Sequence, residues 1–146
     1  MEDHAYPKMY LYKRVVQAKL YIDDHYAEPI DIQNIADNAY FSKFHFIRLF
    51  KSIYQKTPHQ YLISVRIDKA RQLLTQGKKV SESCFAVGFD SPATFSILFK
   101  KHTGLAPKKF QMKELKRLED IKDKPLVFVP NCYAEQKGWV ENSNSQ

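Results

Sequence analysis

Apolar residues recur at helical spacing along most of this chain. Leu11, Val15, Ala18, Ile22 and Tyr26 step by four, three, four and four, so they line one side of a helix. Pro29 stops that helix. Asp31 reads as the N-cap of a short second helix over about 31–38, with Ile30 and Ile35 placed as a hydrophobic staple. Ser42 is the next N-cap candidate, with Phe41 and Phe46 as its staple. It opens a helix over about 42–54 that buries Phe46, Leu49, Phe50 and Ile53.

Thr57-Pro58-His59-Gln60 is a capping box with proline at the first helical position. The long helix it starts carries Tyr61, Leu62, Val65, Ala70, Leu73 and Leu74 on its apolar face and closes at Gly77. A further helix over about 80–87 ends at Gly88. Ser91-Pro92 repeats the cap-and-proline signal and opens a helix that buries Phe95, Leu98 and Phe99. Ala106-Pro107 opens the last helix, with Phe110 inward, and this runs into the charged stretch Lys113 to Lys124. Residues 125–146 change character: Pro125 to Pro130 is a short β-prone run and Glu141 to Gln146 is polar.

An internal repeat lies in this pattern. Ser42, Phe46, Phe50, Pro58 and Tyr61 recur as Ser91, Phe95, Phe99, Pro107 and Phe110, every offset being 49 residues. Each unit is a short helix, a turn, a second helix and a proline that starts another, the outline of a duplicated helix-turn-helix. The fold expected is all-α, with about seven helices. Residues 1–56 form an N-terminal helix-turn-helix subdomain, 57–76 a linker helix, 77–124 a C-terminal helix-turn-helix subdomain and 125–146 an irregular tail.

Composition narrows the function classes. An apolar share of 44% over 146 residues is globular, and no apolar run approaches the roughly 20 residues a membrane helix needs. Met1-Glu2-Asp3-His4 leads into no apolar h-region, so no secretory signal is read and a cytoplasmic location is expected. Four glycines argue against a phosphate-cradling loop. Cys84 and Cys132 form no cluster, Cys84 reads as a core filler, and no histidine pairs with another histidine or a cysteine at ligand spacing. No metal, cofactor, membrane partner or catalytic constellation is expected, and the chain is not read as an enzyme.

The charge is informative once divided. The whole chain carries +7, but residues 40–117 hold 16 basic and 4 acidic side chains, net +12, between acidic flanks of −3 and −2. A basic block spanning both repeated units is the footprint of a nucleic-acid binder. A helix in a major groove buries one side and shows the other to base edges. In the first unit the outward face is Phe44, Ile47, Arg48 and Lys51. Arg48 can offer two donors to guanine, and Phe44 and Ile47 can touch thymine methyls. In the second unit the outward residues are Ala93, Ser96, Ile97 and Lys100. Ser42, Lys43, Lys51, Ser91, Thr94, Lys100 and Lys101 are placed to anchor phosphates, partly through the backbone N–H groups that follow Ser42 and Ser91. Core packing or a protein contact is the other use for Phe44, Ile47 and Ile97.

These residues resemble the DNA-binding module of AraC/XylS-type bacterial transcription regulators, in a short, standalone form. The resemblance runs from about residue 9 to 115. It rests on Ile35-Ala36, Ser42, Phe46, Arg48, Phe50-Lys51, Pro58-x-x-Tyr61-Leu62-x-x-x-Arg66 and Ala70-x-x-Leu73-Leu74. It continues through Val87-Gly88-Phe89, Phe95, Phe99-Lys100-Lys101, Gly104 and Pro107-x-x-Phe110. The resemblance implies two helix-turn-helix subdomains that place their second helices in successive major-groove segments on one face of double-stranded DNA. One monomer would then cover a site on the order of 20 bp. It puts base reading on Phe44, Ile47 and Arg48, then on Ala93 and Ile97, and it implies activation through RNA polymerase. If Met1 is the true start, no small-molecule domain accompanies the module.

The chain departs from the family pattern in four places. Ser83 stands where isoleucine is usual, which predicts looser packing of its helix. Ala106 replaces a Ser/Thr cap, Tyr54-Gln55-Lys56 lacks a glycine, and positions 93 and 97 hold neither arginine nor glutamine. The first unit is therefore expected to set specificity through Arg48, while the second anchors and favours A·T-rich DNA. The competing classes are a nonspecific architectural DNA binder and a protein-interaction module using Phe44, Ile47 and Ile97. A DNA-repair enzyme of the same module family would need extra cysteine clusters.

Overall fold

The structure is a computed structural model that describes residues 5–33, 35 and 42–124. Among these residues every regular element is a helix: α1 Ala5–His25, α2 Lys43–Tyr54, α3 Pro58–Thr75, α4 Val80–Ala86, α5 Pro92–Thr103 and α6 Pro107–Asp123. Residues 32, 33 and 35 are also helical. Asp31 starts that turn: its carboxylate accepts from the Gln33 N–H at 2.9 Å and its carbonyl from the Ile35 N–H at 3.2 Å. The rest of the expected second helix, the Phe41 half of the staple and the 125–146 tail lie outside the described residues. The repeat is borne out in the element bounds, since α2 and α5 differ by 49 at both ends and α3 and α6 by 49 at their starts.

The helix starts follow from side-chain chemistry. Thr57 Oγ1 accepts from the Gln60 N–H at 3.2 Å while Gln60 Oε1 accepts from the Thr57 N–H at 3.0 Å, completing the capping box. Ser42 and Ser91 cap α2 and α5 through the N–H groups of His45 and Thr94, at 3.2 and 3.4 Å. Ala106 makes no side-chain cap bond. At the end of α3, Gly77 sits at φ +87°. Its N–H reaches the Leu74 carbonyl and the Lys78 N–H reaches Leu73, at 3.0 and 3.1 Å, a paired closure that a left-handed residue permits. Gln55 ends α2 in the same left-handed region, φ +62°, without being glycine.

Two hydrophobic cores result. Val15, Ala18 and Ile22 of α1 close with Phe46, Phe50 and Leu62 in one. Ile63, Ile67, Ala70 and Leu74 of α3 close with Cys84, Val87, Phe89, Phe95, Phe99 and Phe110 in the other. The expected face of the long helix needs correction here. Ile63 and Ile67 are buried although they lie off the expected stripe, and Val65 on that stripe is only half-buried. The reason is that α3 serves both cores. Leu62 faces the N-terminal one, and Ile63, 100° further round the helix, faces the other. Leu49, Ile53 and Leu98 are also half-buried rather than buried, at the margins of their helices' inner faces. Ser83 is fully buried and donates its hydroxyl to the Lys79 carbonyl at 2.9 Å, so its polar atom is satisfied locally.

Candidate nucleic-acid interface

The geometry of α2 and α5 begins with their inward phenylalanines. Phe46 and Phe50 are fully buried, as are their repeat partners Phe95 and Phe99, and this turns the remaining faces of both helices outward. Phe44 is 75% exposed and Ile97 70%, far above what a core role would leave. Ser42, Lys43, Arg48 and Lys51 are exposed on the first unit, and Ala93, Thr94, Lys100 and Lys101 on the second. Ile47 and Ser96 depart from the outward reading, both being half-buried. Ile47 packs against the N-terminal core because it follows Phe46 by a single residue and sits at the edge of the inner stripe.

Arg48 donates through Nε to the Phe44 carbonyl one turn back at 3.5 Å, a bond at the limit of useful length. Its guanidinium is therefore little restrained on the surface. The cap hydroxyls of Ser42 and Ser91 each occupy the third amide of their helices. That leaves first-turn amides as the donors a phosphate could take, and Pro92 removes one of these from α5. Lys100, Lys101 and His102 crowd the last turn of α5, and Lys51 that of α2, where they also offset the helix dipole.

Lys43 of α2 and Thr94 of α5 line a common open groove of about 930 Å³, together with Asp31, His59, Arg66 and Asp90. The groove runs between the two units and takes in Lys43 of α2 with Thr94 and Leu98 of α5, while Phe44, Arg48, Ala93 and Ile97 are not among its lining residues. Among the described residues no helix is long and apolar enough to cross a membrane, and no group of three His, Cys, Asp or Glu side chains is placed to hold a metal. Cys84 is buried, and burial pushes its thiol pKa up, consistent with a packing role.

Sequence reasoning undervalued three residues. Arg66 was only a letter in a motif, yet it donates to two backbone carbonyls across the middle of the molecule. A lone arginine four residues after Leu62 and four before Ala70 on a buried helix was the available signal. Gln111 is buried against the end of α3. Tyr61 donates its hydroxyl to Asp23 at 2.5 Å and joins α3 to α1, a pairing of positions 38 apart that no local pattern announces. Burial, then the Asp23 bond, pushes the Tyr61 pKa up to about 12.

Comparison with known proteins agrees with this arrangement. A family model described as a helix-turn-helix domain matches residues 35–113. An uncharacterised helix-turn-helix transcriptional regulator of Pseudoalteromonas carrageenovora is 35% identical over 97 residues, 66% of this chain and 58% of that one. The solved DNA-binding domain of AdpA, a global transcriptional factor in complex with a target DNA, superposes with a TM-score of 0.63 at 27% identity. That match covers 76% of this chain and 96% of the other. An AraC-type regulator of Chromobacterium violaceum gives 0.62 at 27% identity, covering 70% and 92%. The chain spans about half the length of the curated relatives it matches. By sequence match and by fold, the chain belongs to the AraC-type family of helix-turn-helix, DNA-binding transcription regulators.

Proposed function

We propose that this chain binds double-stranded DNA as a monomer, reading two successive major-groove segments with α2 and α5, and that it activates transcription. The observation that carries this reading is the 49-residue repeat in helix bounds, which gives α2 and α5 equivalent exposed faces. Two helices related in this way can enter neighbouring major grooves about one helical turn apart, roughly 34 Å. Base reading falls to Phe44, Ile47 and Arg48 and to Ala93, Ser96 and Ile97. Phosphate anchoring falls to Ser42, Lys43, Lys51, Ser91, Thr94, Lys100 and Lys101. AdpA's domain, in complex with its target DNA, supports the extension to this chain. Activation, contact with RNA polymerase and a cytoplasmic, nucleoid-associated location follow the family habit.

The unequal chemistry of the two helices favours a division of labour. Arg48 brings a bidentate donor to the first, while the second presents only methyl groups, hydroxyls and lysines. The first unit thus sets sequence and the second anchors. The same inequality is what a nonspecific architectural binder would show in stronger form. Random-site selection with the purified 146-residue chain tests the reading. One enriched motif with two blocks a helical turn apart supports it. Steeply salt-dependent binding without any enriched motif assigns the architectural role instead. No binding at low salt removes both and leaves a protein-contact surface built on Phe44 and Ile97.

A further inference from the structure

Arg66 stands where the two halves of the molecule meet. Its Nε donates to the Tyr26 carbonyl at 2.6 Å and its Nη2 to the Glu28 carbonyl at 3.0 Å. Both carbonyls belong to the turn that follows α1, in the N-terminal half. The same guanidinium lies 5.7 Å from the ring centre of Phe89, which is buried in the C-terminal core. One side chain of α3 therefore holds both halves, through two charge-assisted hydrogen bonds and a cation–π contact. Burial pulls the Arg66 pKa down from its usual value, and the group stays protonated at neutral pH.

Gly88 completes the joint. It sits at φ +100°, and a Cβ there would stand 3.0 Å from the Tyr26 and Ala27 carbonyls and from Arg66 Nε. The turn of the second helix-turn-helix thus lies so close to backbone of the first half that a Cβ would push its neighbours back by a few tenths of an ångström, at a φ that favours glycine. The Tyr26 side chain packs against both cores. Little can slide at this joint without losing the two bonds and the ring contact together.

We propose that Arg66, with Gly88, is a positioning residue that locks α2 against α5 and so restricts the chain to DNA sites with one spacing between their two segments. The inference rests on the two-segment reading above. Each base pair added between the segments moves the second by about 3.4 Å and turns it by about 34°. A rigid two-headed reader then keeps only one head in register and loses the advantage of linked binding. A loosened joint lets the second head follow.

The test uses the full chain and the selected site, alone and with one base pair inserted or removed between its two blocks. The readout is the ratio of affinities, native over altered spacing, from anisotropy titrations. For the unaltered chain the expected ratio is at least about tenfold. Arg66→Met should bring it below about threefold, mainly by weakening the native site, and Arg66→Lys should fall between because a single ammonium cannot replace the fork. A residue that only supported folding would weaken all spacings in proportion and leave the ratio alone. A folded Arg66→Met with the unaltered chain's ratio overturns the proposal while the two-segment reading stands. If Arg66→Met fails to fold, Arg66→Lys and Gly88→Ala carry the same ratio, and no change in either overturns it. An unaltered chain indifferent to spacing brings down the two-segment reading, and the lock with it.

Discussion

Gln111 offers a quantitative check on how the second half is held to the linker helix. It lies on α6, is 4% exposed, and donates through Nε2 to the carbonyls of Leu74 at 3.1 Å and Lys78 at 2.6 Å. The Leu74 carbonyl lies in the last turn of α3 and that of Lys78 just beyond it, where the regular i+4 helical donors have run out. The consequence of Gln111→Leu depends on what each keeps. The Leu74 carbonyl retains the Gly77 N–H at 3.0 Å, and Lys78 lies at an exposed position where water can reach it. Neither is left stranded, so the loss is two net hydrogen bonds at about 1 kcal/mol each, partly offset by burying an apolar side chain of similar size. A destabilisation of about 1–2 kcal/mol is expected. Gln111→Glu should be worse, by roughly 1 kcal/mol or more, since an ionised carboxylate can only accept and would face two other acceptors. Burial and those carbonyls favour the neutral acid, so the folded-state pKa of the introduced carboxyl is raised. The penalty of Gln111→Glu is therefore present at neutral pH and fades as pH falls through that raised value. Urea unfolding of each variant, followed by helical circular dichroism at several pH values, measures these differences. A Leu variant as stable as the unaltered chain, or a Glu variant no weaker than the Leu variant, would refute the role given to this amide.

Gln55→Gly should stabilise the chain by about 0.5–1 kcal/mol, because it relieves a left-handed φ of +62° at the end of α2. Thermal unfolding reads this as a rise of several degrees, and Gln55→Val should lower the midpoint instead. For Tyr61, the folded pKa of about 12 exceeds the ordinary tyrosine value of 10.0, so its contribution is complete below pH 10 and is lost as pH rises towards 12. Solvent access at this half-buried site reduces the contribution to on the order of 1 kcal/mol. Alkaline melts should therefore fall more steeply for the unaltered chain than for Tyr61→Phe, with Lys19 and Asp23 of the same cluster unchanged in both. Arg48→Ala should cost about 1–3 kcal/mol on the selected site and relax one guanine position. Repeating the selection with the variant checks this, and an unchanged motif would remove Arg48 from the readers.

Much of the architecture was legible in residue order. The cap residues Ser42, Thr57 and Ser91 and the prolines after the last two set helix starts by local chemistry, and they are found where they were read. The 49-residue repeat was visible because buried phenylalanines and prolines recur in the same structural roles, and α2 and α5 reproduce it. The outward placement of Phe44, Arg48 and Ile97 likewise followed from which neighbours had to be inside.

What failed to show in the sequence depended on more than one element. The long helix looked one-sided because periodicity assumes a single core, whereas α3 divides its apolar residues between two. Ile47, at the edge of the inner stripe of α2, became part of the N-terminal core and only partly available at the surface. Arg66, Gln111 and the Tyr61–Asp23 pair join positions 33 to 40 residues apart. Such contacts have no local signature, because a hydrogen bond across the fold is set by where helices pack and not by their spacing in the chain. The sequence by itself determined the helices, their repeat and the sign of the charge between them. Only the tertiary structure decided how firmly the two units are held together, since that depends on a few polar groups meeting the backbone of a distant turn.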